Sequence, residues 1–170
     1  MLTMQDAAYA TNLKSGFDAT AGYLGGSALN EWTPEEFFKV QERRLLIWVG
    51  AVGSLSRPDP AGDAYMAVTR ARSLTCHIGR TIALDMETST DAHYVSVFGA
   101  VAHMAHFFVW VYGSLGNIIS LPALDGRWVA DPGNAAHLSG VPDEVACQWT
   151  DTGKIDESLI ASGEALRMLW

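Results

Sequence analysis

The run Ala83-Leu84-Asp85-Met86-Glu87-Thr88 ends an apolar segment with two carboxyl groups two positions apart. On an extended chain such residues point to the same side, so Asp85 and Glu87 are expected to face one cleft. Mutual repulsion and burial would then raise one pKa and leave the other group ionised. That is the division of labour of glycoside hydrolysis, in which one acid donates a proton and the second acts as nucleophile, base or stabiliser of positive charge. The same residues allow a plainer reading, because acids at strand ends also cap the following helix, and Ser89, Thr90 and Asp91 compete for that position. Aromatic side chains fall near other strand ends: Tyr23, Trp48, Trp110, Tyr112, Trp128 and Trp149. Sugar rings stack their C–H faces on such groups, although core packing accounts for at least half of a set like this.

Other chemistries find less support. His103 and His106 lie one helical turn apart but bring no third ligand, so no metal site is expected. His77, His93 and His137 stand alone. Gly113-Ser114-Leu115-Gly116 lacks the spacing of a nucleophile elbow. The glycines at 22, 25 and 26 do not make a dinucleotide fingerprint, no phosphate loop is present, and no cofactor is expected.

The elements that must position these groups alternate between short apolar strands and helices. Strands are predicted at Thr20–Leu24, Leu45–Val49, Thr81–Leu84, Phe107–Tyr112, Arg127–Ala130 and Val145–Trp149. Several are continuously apolar, which suits a parallel sheet covered on both faces. Helices are predicted from Thr33-Pro34-Glu35-Glu36, over about 63–75 and over about 90–106, with a loop at 54–62. This order implies an α/β layered fold or barrel. With 170 residues the chain fits one domain, 1–170.

Nearly half the residues are apolar and 18% are charged, so the chain folds rather than remaining disordered. The net charge of −8 comes without a basic stretch, which excludes nucleic acid as an expected partner. No apolar run approaches membrane-spanning length and the start lacks the features of a signal peptide, so no membrane partner and cytoplasmic synthesis are expected. Cys76 and Cys147 read as two buried thiols.

In order along the chain, Asp85-Met86-Glu87, Val109-Trp110-Val111-Tyr112-Gly113-Ser114, Trp128-Val129-Ala130-Asp131, Gln148-Trp149-Thr150 and Ile155-Asp156 resemble the second half of the family-25 lysozymes. They are closer still to the glycoside-hydrolase-like barrel domains of actinobacteria and their phages. Tyr23-Leu24-Gly25-Gly26 and Ile47-Trp48-Val49-Gly50 resemble earlier strands of the latter group. The resemblance implies a (β/α) barrel of TIM type. It implies Glu87 as general acid and Asp85 as its partner, and on electrostatic grounds Asp85 and the surrounding apolar surface are expected to raise the Glu87 pKa. It places Tyr112, Trp128 and Gln148 along a sugar cleft with Asp156 as the late aspartate, and peptidoglycan as the glycan bound or cleaved; Tyr23, Trp48 and Trp149 are expected to join that cleft as aromatic residues near strand ends. The family's barrel opens with a strand ending in aspartate, whereas residues 5–13 read here as a helix, so the barrel is expected to be incomplete, with Asp18 the substitute acid to examine. That departure favours weak or undetectable hydrolysis. It also brings in the alternative of a non-catalytic structural or carbohydrate-binding component of a phage particle or other assembly, with protein partners, carried in the virion or released by lysis.

Overall fold

The computed structural model describes residues 1–28, 30–50, 59–151 and 155–170. Eight strands close into one barrel in chain order: β1 (Leu2–Asp6), β2 (Ala19–Gly26), β3 (Arg43–Val49), β4 (Thr81–Asp85), β5 (Phe108–Ser114), β6 (Arg127–Ala130), β7 (Glu144–Gln148) and β8 (Asp156–Ile160). Neighbours from β1 to β7 are parallel, and β8 runs antiparallel to both β7 and β1. The protein is therefore mixed α/β, with a closed barrel and five helices among the described residues.

The alternation of strand and helix is uneven. Helices α1 (Pro34–Lys39), α2 (Pro60–Ser73) and α3 (Ala92–Met104) follow β2, β3 and β4. After β5 comes only α4 (Leu115–Ile118), residues 131–143 join β6 to β7 without a helix, and α5 (Gly163–Met168) follows β8. Local chemistry explains the starts. Thr33 and Glu36 form a reciprocal capping box with Pro34 in the first turn of α1, and Asp59 and Asp91 cap α2 and α3 through the amides of Gly62 and Tyr94. Of the loop expected at 54–62, residues 54–58 lie outside the described residues and Pro60–Gly62 open α2.

The expectation of an incomplete barrel is corrected by β1. Its sequence, Leu-Thr-Met-Gln-Asp, alternates polar and apolar residues as a half-buried strand does, yet Gln5 is buried like a core residue. Among the described residues only the single turn Ala10–Asn12 lies between β1 and β2. The segment after β1 folds over Gln5, and the amide side chain donates to the Lys14 carbonyl at 2.7 Å and accepts from the Lys14 amide at 2.9 Å. A polar residue is needed there, because a buried backbone turn must find its hydrogen bonds in a side chain. The predicted helix over 5–13 shrinks to the single turn Ala10–Asn12.

Two apolar layers follow from the strand alternation. Outward residues, such as Leu46, Trp48, Ile82, Leu84, Val109, Val111 and Val129, pack with Phe37, Val68, Tyr94, Val95 and Phe98 of the helices. Inward residues fill the barrel: Met4, Ala19, Ala21, Leu45, Ile47, Ala83, Trp110, Tyr112, Trp128, Ala146 and Ile160. The alanines leave room for three large aromatic residues in a small barrel, the small-against-large arrangement that such interiors require. Glycine is obligatory at one point. Past the β2 irregularity at Leu24, Gly26 adopts φ of 84°, and a Cβ there would lie 2.0 Å from the Val49 carbonyl oxygen.

Candidate functional site

At the rim where β1–β7 end, a cavity of about 140 Å³ is lined by Asp6, Tyr23, Ile47, Asp85, Glu87, Tyr112, Trp128, Gln148, Asp151 and Asp156. Every strand sends a residue to it or lies directly beneath one. Because β8 runs in the opposite direction, its first residue, Asp156, pairs with Asp6, the last residue of β1, and both carboxyl groups reach the same rim. Asp85 ends β4 beside Tyr112 of β5, and Tyr112 pairs in turn with Trp128 of β6. The two rings touch at 4.5 Å between centroids.

Of the residues predicted from sequence, Asp85, Glu87, Tyr23, Tyr112, Trp128, Gln148 and Asp156 come together here. Trp48 does not. On β3 the residues facing inward are Leu45 and Ile47, so period-two alternation turns Trp48 to the helix layer, where it is buried against the Arg70 guanidinium. Trp149 lies just past β7 with its amide on the Glu157 carbonyl, outside the cavity lining. Asp18 is exposed before β2, accepting from the Thr3 amide at 2.8 Å, at the opposite rim.

The first-strand acid is Asp6, which sequence reasoning missed. Its signal was present: Leu2, Met4 and Asp6 alternate to a terminal aspartate, as Thr81, Ala83 and Asp85 do. Ile47 was hidden inside a continuously apolar strand. Asp151 lies just past β7, where no periodicity marks it.

Burial decides the electrostatics. Asp85 is pushed from the ordinary 3.8 to about 7, chiefly by burial, with the Glu87 charge adding to the rise and the Glu87 amide, 3.0 Å away, opposing it. Asp6 is held well above the ordinary aspartate range, first by burial and then by the charges of Asp156, Asp85, Glu87 and Asp151. The tyrosines 23 and 112 are raised for the same two reasons. Within the acid pair, Asp85 takes the buried place and Glu87 sits exposed at the mouth.

Hydrogen bonding distinguishes the two acids further. The Gln148 amide nitrogen donates to the Thr150 carbonyl at 3.0 Å, which turns Gln148 Oε1 toward the Tyr112 hydroxyl, within bonding distance. A phenol has one proton, and Gln148 Oε1 can only accept it. Tyr112 Oη also lies 3.1 Å from Glu87 Oε1. The single phenolic proton is therefore shared between two acceptors, Gln148 Oε1 and Glu87 Oε1, and the hydroxyl fixes the position of Glu87 at the mouth of the cavity.

Solved structures share this fold. An uncharacterised protein of B. stearothermophilus superposes with a TM-score of 0.79 at 13% identity over 100% of both chains. The bacterial lysozyme of Streptomyces coelicolor gives 0.67 at 13% identity, covering 98% of this chain and 96% of its own. A modular autolysin of Streptococcus pneumoniae, solved with a synthetic peptidoglycan ligand, gives 0.66 at 15% identity, covering 92% of this chain and 46% of its own. No protein-family model matches the sequence, and no curated protein matches it either. The chain shares its fold with these lysozyme and autolysin structures.

Elsewhere, a hollow of about 520 Å³ at the opposite rim is lined by Ile78, Gly79, His103, His106, Phe107, Phe108 and Asp125. His103 is paired there with Asp125 at 2.6 Å. Among the described residues no group of three His, Cys, Asp or Glu is placed to hold a metal ion, and no helix is long and apolar enough to cross a membrane. Cys76 and Cys147 are free, buried thiols.

Proposed function

We propose that this chain is a glycoside hydrolase of TIM-barrel type acting on cell-wall glycan, with Glu87 as general acid and the buried Asp85 and Asp6 beside it. The observation that carries this reading is the convergence of carboxyl groups from β1, β4 and β8 with the rings of Tyr23, Tyr112 and Trp128 in one rim cavity. In such a site the proton on Glu87 passes to the glycosidic oxygen as the C–O bond breaks, and neighbouring carboxylates stabilise the positive charge that develops on the sugar ring. Water then completes hydrolysis, its proton returning to a carboxylate of the site. Peptidoglycan is the substrate suggested by the fold shared with lysozymes and with the autolysin that binds a peptidoglycan ligand.

The ground for a non-catalytic phage or assembly module was the missing first-strand acid. With Asp6 in that place, catalysis becomes the better-supported reading. The test is clearing of purified bacterial cell wall by the protein and by Glu87→Gln, a substitution that keeps shape and removes the transferable proton. Clearing by the wild type and its loss in the variant are expected. Equal clearing by both removes Glu87 from the mechanism, and no clearing by the wild type removes the reading.

A further inference from the structure

Five residues lining the cavity are carboxylic acids, Asp6, Asp85, Glu87, Asp151 and Asp156, and no described lining residue is lysine, arginine or histidine. A second observation concerns Asp6 alone. The residue is 6% exposed, and its Oδ2 is buried without a hydrogen-bond partner among the described residues. A buried polar atom left without a partner is costly, and one that faces a cavity is available to a partner that enters it. The donors of the lining are largely spent within the protein. Trp128 Nε1 donates to Ser158 at 3.0 Å, the Gln148 nitrogen to Thr150, and the Tyr112 hydroxyl to Gln148. The cavity therefore presents carboxyl groups that burial keeps from ionising freely and that a cationic partner would let ionise, walled by aromatic rings whose faces attract cations.

That inventory selects among the sugars of a glycan. An acetamido group brings a carbonyl oxygen that needs a donor, and the lactyl arm of muramic acid brings a carboxylate that the acids repel. A free amino group is protonated, carries three donors and offsets the charge that burial makes expensive on Asp6 and Asp85. At about 140 Å³ the cavity is well below the roughly 300–1,000 Å³ of sites for larger ligands, so one ring enters rather than a length of chain. Resting on the reading of this rim as a glycan site, we propose that the cavity takes a de-N-acetylated hexosamine, its ammonium group directed at Asp6.

Calorimetric titration with a glucosamine tetramer and an N-acetylglucosamine tetramer tests this, with tetralysine as a non-sugar cation of equal charge. The glucosamine tetramer is expected to bind on the order of tenfold more tightly than the acetylated one, the size of a charge-assisted hydrogen bond. Asp6→Asn should erase most of that preference, and the exposed Asp151→Asn, which carries no folding risk from burial, should reduce it severalfold. Equal or tighter binding of the acetylated tetramer overturns the inference and leaves the glycan reading standing. Equal binding of tetralysine also overturns it, by showing only attraction to an acidic protein. If neither sugar binds and cell wall is not cleared, the functional reading falls with it.

Discussion

Replacing Asp85 by asparagine should make the folded protein more stable at pH 8 while leaving it nearly unchanged at pH 4. The folded-state pKa is raised from 3.8 to about 7, so the protonated form is the one the fold favours. The stability associated with that proton is fully present below pH 3.8 and is lost as the pH rises through about 7, because the unfolded chain ionises freely and the buried site does not. At about 1.4 kcal/mol per tenfold change in proton affinity, a rise from 3.8 to about 7 sets a ceiling of about 4 kcal/mol on the loss. Asparagine cannot ionise and escapes it. It also keeps an oxygen for the Glu87 amide, which donates to Asp85 at 3.0 Å, so the local turn survives the change. Urea unfolding of both proteins at pH 4, 6 and 8 measures the difference directly. The wild type should lose roughly 2–4 kcal/mol more than the variant between the extremes. Asp6, also raised by burial, is present in both proteins, so its own pH dependence largely cancels in the comparison. Superimposable pH profiles would refute the claim that burial, acting on Asp85, governs the electrostatics of this rim.

Tyr112→Phe removes the hydroxyl between Gln148 and Glu87, and kcat for cell-wall hydrolysis should fall by about ten- to a hundredfold with little change in KM, because losing the orientation of Glu87 forfeits part of the roughly hundred- to ten-thousandfold that a positioned proton donor contributes. An unchanged kcat would mean that Tyr112 does not orient Glu87. Trp48→Ala should cost about 3–5 kcal/mol in chemical denaturation, since the ring is buried among the helices. Added glycan should still raise the melting temperature of that variant. Trp128→Ala should lose the ligand-induced rise, because its ring lines the cavity. Gln5→Leu should cost about 1–3 kcal/mol by stranding the Lys14 amide and carbonyl, and faster proteolysis within residues 7–18 would report the released loop.

What the sequence made legible, and what it hid, follows from which faces of each strand are buried. The central strands were readable because β3, β4 and β5 are apolar on both faces, and the acid-x-acid pair at the end of β4 stood out against them. The same double burial concealed orientation. In Leu45-Leu46-Ile47-Trp48 nothing in the residue types says which pair faces the cavity, so Trp48 was placed at the site and Ile47 was not. The edge of the pattern failed for the opposite reason. The outward residues of β1, Thr3 and Gln5, are polar and β8 opens on Asp156-Glu157-Ser158, so the apolar run that marks a strand is absent.

Those two poorly marked strands close the barrel, and they bring Asp6 and Asp156 side by side. A sequence motif such as Asp85-Met86-Glu87 can be recognised because its members are neighbours in the chain, whereas Asp6 and Asp156 meet only through ring closure. The reversal of β8 is what makes the meeting work. A parallel final strand would present its last residue at this rim and carry its first to the far side, whereas an antiparallel one presents its first. The acids of the site thus depend on a topological feature that the regular strand–helix order does not foretell, and a barrel that failed to close between β8 and β1 would lose the pairing of Asp6 with Asp156 while keeping its most visible motif.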